Sequence, residues 1–154
     1  MSVSVQTEDF DIGAEIDILT AEDRNVGAVV SFTGLVREMT GDGAIDTMEL
    51  EHYPGMTERS LEEIAAQAQD RWPLQGIRII HRYGPLSPGD RIVLVLTASR
   101  HRHAAFEAAA FLMDYLKTRA PFWKKESGST GGRWVDARET DTEAADRWKN
   151  KSAT

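Results

Sequence analysis

The sequence predicts an α+β fold, a single domain in which a mixed β-sheet is flanked by helices. A length of 154 residues matches one ordinary domain with its own core. The 41% of hydrophobic and 28% of charged residues are typical of globular chains. Segments with strand and helix patterns are interspersed, and a short turn joins two neighbouring strands, which argues against an all-parallel sheet. We assign the domain to residues 1–148 and expect residues 149–154 to fray.

The first half of the chain predicts a strand, a helix, two further strands and a second helix. Their predicted bounds are 3–10, 11–19, 26–33, 45–53 and 57–71. Asp11 is a suitable N-cap for the first helix, and Thr57 is a suitable cap for the second, which follows the break at Pro54 and Gly55. Residues 37–43 predict a mobile loop, because two glycines flank an aspartate there and the apolar pattern is absent.

The second half predicts two strands, a helix, two strands and a last helix. Their predicted bounds are 77–83, 91–98, 103–119, 122–126, 133–137 and 141–148. Residues 84–90 contain two prolines and two glycines, which predict a rigid turn and therefore a hairpin. The helix at 103–119 is apolar around most of its circumference, as expected of a core helix. Residues 127–132 predict a flexible connection.

Positive charge is concentrated around this core helix. Residues 100–125 contain six Lys or Arg and two acids, a balance of +4, whereas the whole chain is at −7 and the remainder is therefore at −11. Such contrast favours the binding of an anionic small molecule at the cluster. The acidic remainder argues against a nucleic-acid partner, the alternative use of a basic cluster.

Several chemistries are disfavoured by what the sequence lacks. Cysteine is absent, which removes disulfides, thiolate nucleophiles and zinc–thiolate sites. We expect no metal, since His101 and His103 belong to no zinc-binding spacing, and no nucleotide cofactor, since the glycines form no phosphate-loop pattern. No apolar run is long enough to span a bilayer and the N-terminus has no signal-peptide pattern, so we expect a cytoplasmic protein without a membrane partner.

The candidate site residues lie at the two ends of the core helix. His101 and Arg102 are at its start, where free backbone N–H groups and the helix dipole favour an anion. Lys117 is in its last turn and Lys124 follows on the next strand, in apolar surroundings that suit a general base or a nucleophilic amine. The helix separates its ends by roughly 24 Å, so a common site needs a second subunit or a returning loop.

Simpler interpretations stand beside these. Lysines at a helix C-terminus commonly do no more than complement the dipole, and Lys124 with Lys125 is also compatible with a solvated strand face. His52 and His81 lie in apolar strands and are better interpreted as structural histidines than as catalysts.

Six segments, in order along residues 3–148, closely resemble the large, catalytic subunit family of molybdopterin synthase. They are residues 34–37 (GLVR), 50–58 (LEHYPGMTE), 81–84 with 88–90 (HRYG and PGD), 99–102 (SRHR), 115–126 (YLKTRAPFWKKE) and 133–138 (RWVDAR). The most specific of them is the run from Lys117 to Lys124, joined to the upstream pair of His101 and Arg102.

The resemblance implies a hammerhead-like fold and a sulfurtransferase of molybdenum cofactor biosynthesis. Such an enzyme converts cyclic pyranopterin monophosphate into molybdopterin by installing two sulfurs. The implied partner is a small ubiquitin-like subunit whose Gly-Gly C-terminus carries sulfur as a thiocarboxylate. The implied assembly is a large-subunit dimer with one small subunit at each end, a heterotetramer. The absence of cysteine fits this reaction, because the sulfur arrives on the partner.

The resemblance also implies the site residues. Its pocket positions correspond to Arg37, His101, Arg102, Lys117, Lys124 and Arg138, with Lys125 and Glu126 adjoining. We interpret Lys117 and Lys124 as catalytic and the others as binding substrate, with Arg138 a candidate for donation by the neighbouring subunit. The alternative function is a Schiff-base lysine enzyme that acts on a phosphorylated carbonyl compound.

Overall fold

The computed structural model describes residues 1–40, 43–128, 131–135 and 139–149, with side chains described for 1–38, 47–123 and 143–149. The elements follow in the order β1 (Ser2–Gln6), α1 (Ile12–Thr20), β2 (Ala28–Leu35), β3 (Met39–Thr40), β4 (Gly43–His52), α2 (Met56–Arg71), β5 (Leu74–Arg82), β6 (Gly84–Leu86), β7 (Arg91–Ser99), α3 (Arg102–Arg119), β8 (Phe122–Gly128), β9 (Gly131–Val135) and α4 (Glu139–Asp146).

The strands form two sheets. The first has the order β1-β5-β7-β2, in which β1 and β5 are parallel and the other pairs are antiparallel. The second is antiparallel, with the order β3-β4-β8-β9 and with β6 paired to β4. The predicted α+β domain with a mixed sheet flanked by helices is therefore confirmed, and the second sheet adds to it.

The core lies on both faces of the first sheet, because side chains alternate between faces along a strand. On one face, Val93 and Val95 pack in the main hydrophobic cluster with α2 and α3. On the other face, Leu94 and Leu96 pack with Phe10 and the apolar side of α1. Helix α3 is held against β7 by the buried Thr97 hydroxyl, which donates to the carbonyl of Ala105 at 2.7 Å, so the ends of α3 are fixed relative to the sheet.

Two helix caps and one loop test the local predictions. Asp11 caps α1 as predicted, accepting from the Ala14 N–H at 3.0 Å. The predicted cap at Thr57 is wrong. Gly55 is the N-cap of α2, with a φ of 83° that favours glycine, and Thr57 is buried inside the first turn. The loop predicted at 37–43 is partly wrong, because Met39–Thr40 form a short strand that pairs with β4.

The structure bears differently on the predicted turn at 84–90, the predicted connection at 127–132 and the predicted tail at 149–154. The hairpin prediction is confirmed by the antiparallel pairing of β5 and β7, although residues 84–86 within the turn form β6. Strands β8 and β9 extend into the connection predicted at 127–132, and Gly128 pairs with Gly131. The domain end at residue 148 stays a prediction. Trp148 is buried, Lys149 pairs with Asp146 at 2.9 Å, and residues 150–154 lie outside the described residues.

Candidate active site

The start of α3 is a cationic helix N-terminus. His101 is the N-cap in extended backbone, and its own side chain makes no capping hydrogen bond in the described part of the chain. The side chains of Arg100, His101, Arg102 and His103 are all exposed, and the first turn contains no acid. Free N–H groups, the helix dipole and these cations together favour an anion.

The loop that carries this N-terminus is held by the neighbouring backbone. Ser99 is buried, and its hydroxyl donates to the carbonyl of Pro73 at 3.0 Å. The N–H of Gly27 donates to the Ser99 carbonyl at 3.0 Å. Any side chain at Gly27 would clash, because its Cβ would lie 2.2 Å from the carbonyl oxygen of Arg100. The cations at the start of α3 are therefore presented from a fixed turn.

A cavity of about 600 Å³ opens beside this turn. Its lining residues come from the turn and from the start of β5: Pro73, Leu74, Gln75, Ser99, Arg100, His101, His103 and Ala104. The volume is within the usual range for small-molecule sites, which is roughly 300–1,000 Å³. The sequence singled out His101 but missed Gln75, because no local motif connects the start of β5 with the start of α3.

The opposite end of α3 carries Lys117, whose side chain is exposed in the last turn. Its neighbours Tyr115 and Leu116 are buried in the main cluster. The guanidinium of Arg119 lies 4.0 Å from the centre of the Tyr115 ring and makes a cation–π contact with it. Arg119 therefore packs on the core, whereas the Lys117 side chain is open to solvent.

Lys124 follows on β8. In the antiparallel pairing of β4 and β8, Lys124 lies opposite Leu50, Lys125 opposite Glu49 and Glu126 opposite Met48. The side chains of Lys124, Lys125 and Glu126 lie outside the described side chains, and Arg138 lies outside the described residues altogether.

Arg37 belongs to the same end of the domain as Lys117 and Lys124. It is exposed and follows Val36, whose N–H donates to the Asp90 carbonyl at 3.0 Å. Val36 is buried in a small cluster with Met48, Leu50 and Leu86, against which Phe122 also packs. Since Leu50 lies opposite Lys124, the backbones of Arg37 and Lys124 adjoin one hydrophobic cluster.

The two ends of α3 do not meet within one chain. From Arg102 to Lys117 the helix rises by roughly 22 Å, too far for one small ligand to contact both side chains. The structure therefore groups Arg37, Lys117 and Lys124 at one end, and places His101 and Arg102 at the other.

The described ranges of the chain hold neither a metal-binding cluster nor a membrane-spanning helix. No group of three His, Asp or Glu side chains in those ranges is arranged to hold a metal ion. Within the same ranges, no helix is both long and apolar enough to cross a bilayer.

Comparison with known proteins identifies the class and then the family. A molybdopterin synthase catalytic subunit from Mesorhizobium japonicum is 60% identical over 154 residues, covering 98% of this chain and 95% of that protein. A solved MoaE protein of molybdopterin biosynthesis from Burkholderia ambifaria superposes with a TM-score of 0.84 at 50% identity, covering 97% of this chain and 99% of that one. The crystal structure of molybdopterin synthase from Staphylococcus aureus gives a TM-score of 0.80 at 32% identity, covering 86% of this chain and 95% of that one.

The fold and the full-length relatives therefore define this chain as an α+β catalytic subunit, an enzyme of the sulfurtransferase class. The family model for the MoaE protein matches residues 5–119. The chain belongs to the MoaE protein family, and the resemblance found in the sequence is confirmed.

Proposed function

We propose that this chain is the catalytic subunit of a molybdopterin synthase. It converts cyclic pyranopterin monophosphate into molybdopterin by transferring two sulfurs from the C-terminal thiocarboxylate of a small ubiquitin-like subunit. The observation that carries the proposal is the 60% identity, over 98% of the chain, to a relative named as that catalytic subunit. The reaction takes place in the cytoplasm, which fractionation of cells would test.

The two ends of α3 have different roles in this proposal. The uncapped N-terminus with His101 and Arg102 suits the cyclic phosphate, because N–H groups and a bidentate guanidinium bind phosphate oxygens. Arg37 and Arg138 add charge to the same substrate. The amine of Lys117 lies at the reacting carbon, where it stabilises charge as sulfur attacks or transfers a proton. Lys124 supports opening of the cyclic phosphate, with Lys125 and Glu126 adjoining.

A dimer of this chain joins the two ends. Strand β2 is at the edge of the first sheet, with Ala28 beside Ser99 near the start of α3 and with Arg37 just beyond its other end. Phe32 on β2 and Phe106 on α3 are 41% and 61% exposed, an apolar surface suited to a second copy.

A two-fold axis across this surface sets the start of one α3 beside the end of the other, because such interfaces are self-complementary. Each composite site then combines His101 and Arg102 of one protomer with Arg37, Lys117 and Lys124 of its partner. One small subunit at each end completes a heterotetramer.

The sulfur comes from the partner, because the chain has no cysteine on which to carry it. We expect the glycine tail of the small subunit to pass beside Phe122 and Trp123 and to end near Lys117, since glycine has no side chain to obstruct close approach. The amine of Lys117 then lies beside the activated tail, so an occasional isopeptide bond between the subunits is an expected side product.

The decisive experiment supplies the cyclic pterin to this chain with either the thiocarboxylated partner or free sulfide. Dithiolene product should form efficiently only in the reaction in which this chain is supplied with the thiocarboxylated partner. Efficient use of sulfide without any partner would overturn the carrier mechanism. Borohydride in the presence of substrate tests the alternative, because a Schiff-base enzyme would give a covalent adduct on Lys117.

Substitution of Lys117 tests its role. Lys117→Ala should nearly abolish turnover and leave the fold intact, because the side chain is exposed and its truncation opens no core cavity. The matched control is Lys149→Ala, which removes an exposed lysine that pairs with Asp146 at the end of α4. Near-normal turnover in Lys117→Ala would remove Lys117 from the mechanism.

A further inference from the structure

Phe122 contacts the rings of two histidines that come from different sheets. The His81 ring, on β5 of the first sheet, stacks on it with a centroid separation of 3.8 Å and an interplanar angle of 20°. The His52 ring, at the end of β4 in the second sheet, lies 6.3 Å away at 33°. We name His52, His81 and Phe122 the ring cluster. It joins the two sheets at the point where β8 begins.

Both imidazoles of the ring cluster are oriented by further contacts. The Nδ1 atom of His81 lies 2.9 Å from the carbonyl oxygen of Arg82, and the residue is buried. The Nε2 atom of His52 lies 3.7 Å from a carboxylate oxygen of Glu58, on the first turn of α2. The His52 ring also lies 4.2 Å from the ring of Tyr83. Because both imidazoles are held, they define a fixed seat for the Phe122 ring.

The backbone before Phe122 is attached to the same region. The carbonyl of Pro121 accepts a hydrogen bond from the buried Thr57 hydroxyl at 3.2 Å, which ties the segment to α2. The Phe122 N–H donates to the Ala120 carbonyl at 2.9 Å. The Phe122 side chain packs against both the main cluster, which contains Leu116, and the small cluster beside Arg37.

This anchorage lies between the two lysines to which we assign the chemistry. Helix α3 ends at Arg119 and β8 begins at Phe122, so only a short link joins the turn of Lys117 to the strand of Lys124. The contacts of Phe122 and the pairing of β8 with β4 together hold the start of β8. Lys124, which lies opposite Leu50 on β4, is two residues beyond this ring.

We propose that Phe122, seated on the rings of His81 and His52, is a positioning residue that fixes the spacing between Lys117 and Lys124. It contacts neither the cyclic pterin nor the transferred sulfur, which meet near Lys117 beyond the point where the glycine tail passes Phe122, and it acts through the course of the backbone. The inference rests on the proposed function, because it concerns the two lysines of that reaction. A misplacement of about 1 Å at a reacting group lowers the rate by up to roughly a hundredfold.

The test uses the chain assembled with its thiocarboxylated partner. Phe122→Leu keeps an apolar side chain but removes the stacked ring, whereas Phe122→Tyr keeps the ring. We expect Phe122→Leu to lower kcat by at least roughly tenfold, with the KM for cyclic pterin changed by less than about twofold, because His101 and Arg102, to which we assign the cyclic phosphate, lie at the other end of α3. Phe122→Tyr should retain a kcat close to that of the wild-type chain, because it keeps the ring.

The matched control is Phe10→Leu. Phe10 is a buried phenylalanine on the opposite face of the first sheet, among Ile80, Leu94 and Leu96. It should lower stability and leave kcat unchanged. An unchanged kcat in Phe122→Leu, or an equal loss of kcat in Phe10→Leu, would overturn the inference. If Phe122→Leu does not fold, His81→Leu removes the same stacked pair and carries the same expectations.

A second measurement does not depend on the reaction. Amide hydrogen exchange of residues 122–125 in this chain alone should speed up in Phe122→Leu and remain slow in Phe122→Tyr and Phe10→Leu. Unaltered exchange in Phe122→Leu would overturn the inference. A wild-type enzyme that makes no dithiolene product would instead sink the proposed function, and the exchange pattern would still decide whether the ring cluster holds this segment.

Discussion

Two impaired variants of this chain, assayed at a cyclic pterin concentration well below KM, should restore activity to each other when they form a mixed dimer. The variants are Lys117→Ala and Arg102→Ala, whose positions lie roughly 22 Å apart along one α3 helix. If each site takes Lys117 from one protomer and Arg102 from the other, a mixed dimer has one intact site and one doubly defective site. Random pairing makes half of the dimers mixed, so about a quarter of wild-type activity should return.

The assay mixes the two variants under conditions that exchange protomers, adds the thiocarboxylated partner and cyclic pterin, and measures dithiolene product. The matched control mixes Lys117→Ala with Lys124→Ala. Those two residues follow each other at the same end of one chain, so every site in the mixed dimer remains defective. No recovery with Lys117→Ala and Arg102→Ala, or equal recovery in the control, would refute the composite site.

Three further substitutions test binding, packing and charge. Arg102→Ala should weaken binding of the cyclic pterin by about 1.5–3 kcal/mol, the scale of a charge-assisted hydrogen bond, and unchanged affinity by calorimetry would place the phosphate elsewhere. Trp148→Ala should lower the free energy of unfolding in denaturant by about 3 kcal/mol, because a buried indole that donates to Asp114 at 2.6 Å is lost; a change below about 1 kcal/mol would show that α4 is not docked. Arg91 donates to both Asp9 carboxylate oxygens and, together with the Phe10 backbone N–H and the charge of Arg82, lowers the Asp9 pKa from 3.8 to about 2. These contacts therefore stabilise the fold above pH 3.8 and cease to do so as the pH falls through about 2. Asp9→Asn should therefore lower the free energy of unfolding by less than about 1 kcal/mol at neutral pH, since the pair is exposed. The difference between the variant and the wild-type chain should vanish at low pH, and a difference that stays the same at every pH would contradict the assignment.

Local signals in the sequence predicted most of the helices and the longer strands. The β-branched runs of β5 and β7 and the apolar circumference of α3 are typical of buried elements, and all three elements contribute buried residues to the core. The cap at Asp11 is equally local, since its carboxylate accepts from an N–H three residues away. These predictions were confirmed because a few neighbouring residues are enough to decide them.

The errors occurred where distant residues decide the structure or where an element is too short to show a pattern. Threonine is a residue type that often caps helices, but the Thr57 hydroxyl donates to the carbonyl of Pro121, which is 64 residues further along the chain. Strands β3 and β6 have two and three residues, too few to show any periodicity, and they are strands because β4 pairs with them. The partner of β3 is the nearby start of β4, whereas the partner of β6 lies far outside any local window of sequence.

The sequence by itself determined the family, the fold class and the candidate residues, because their types and order lie in short continuous segments such as 115–126. Only the tertiary structure decided which of them are neighbours. It placed Arg37 beside the strand of Lys124 through a shared hydrophobic cluster, and it set His101 at the opposite end of α3 from Lys117. The physical reason is that residue type determines local chemistry, whereas the packing of sheets and helices sets the distances between residues far apart in the chain.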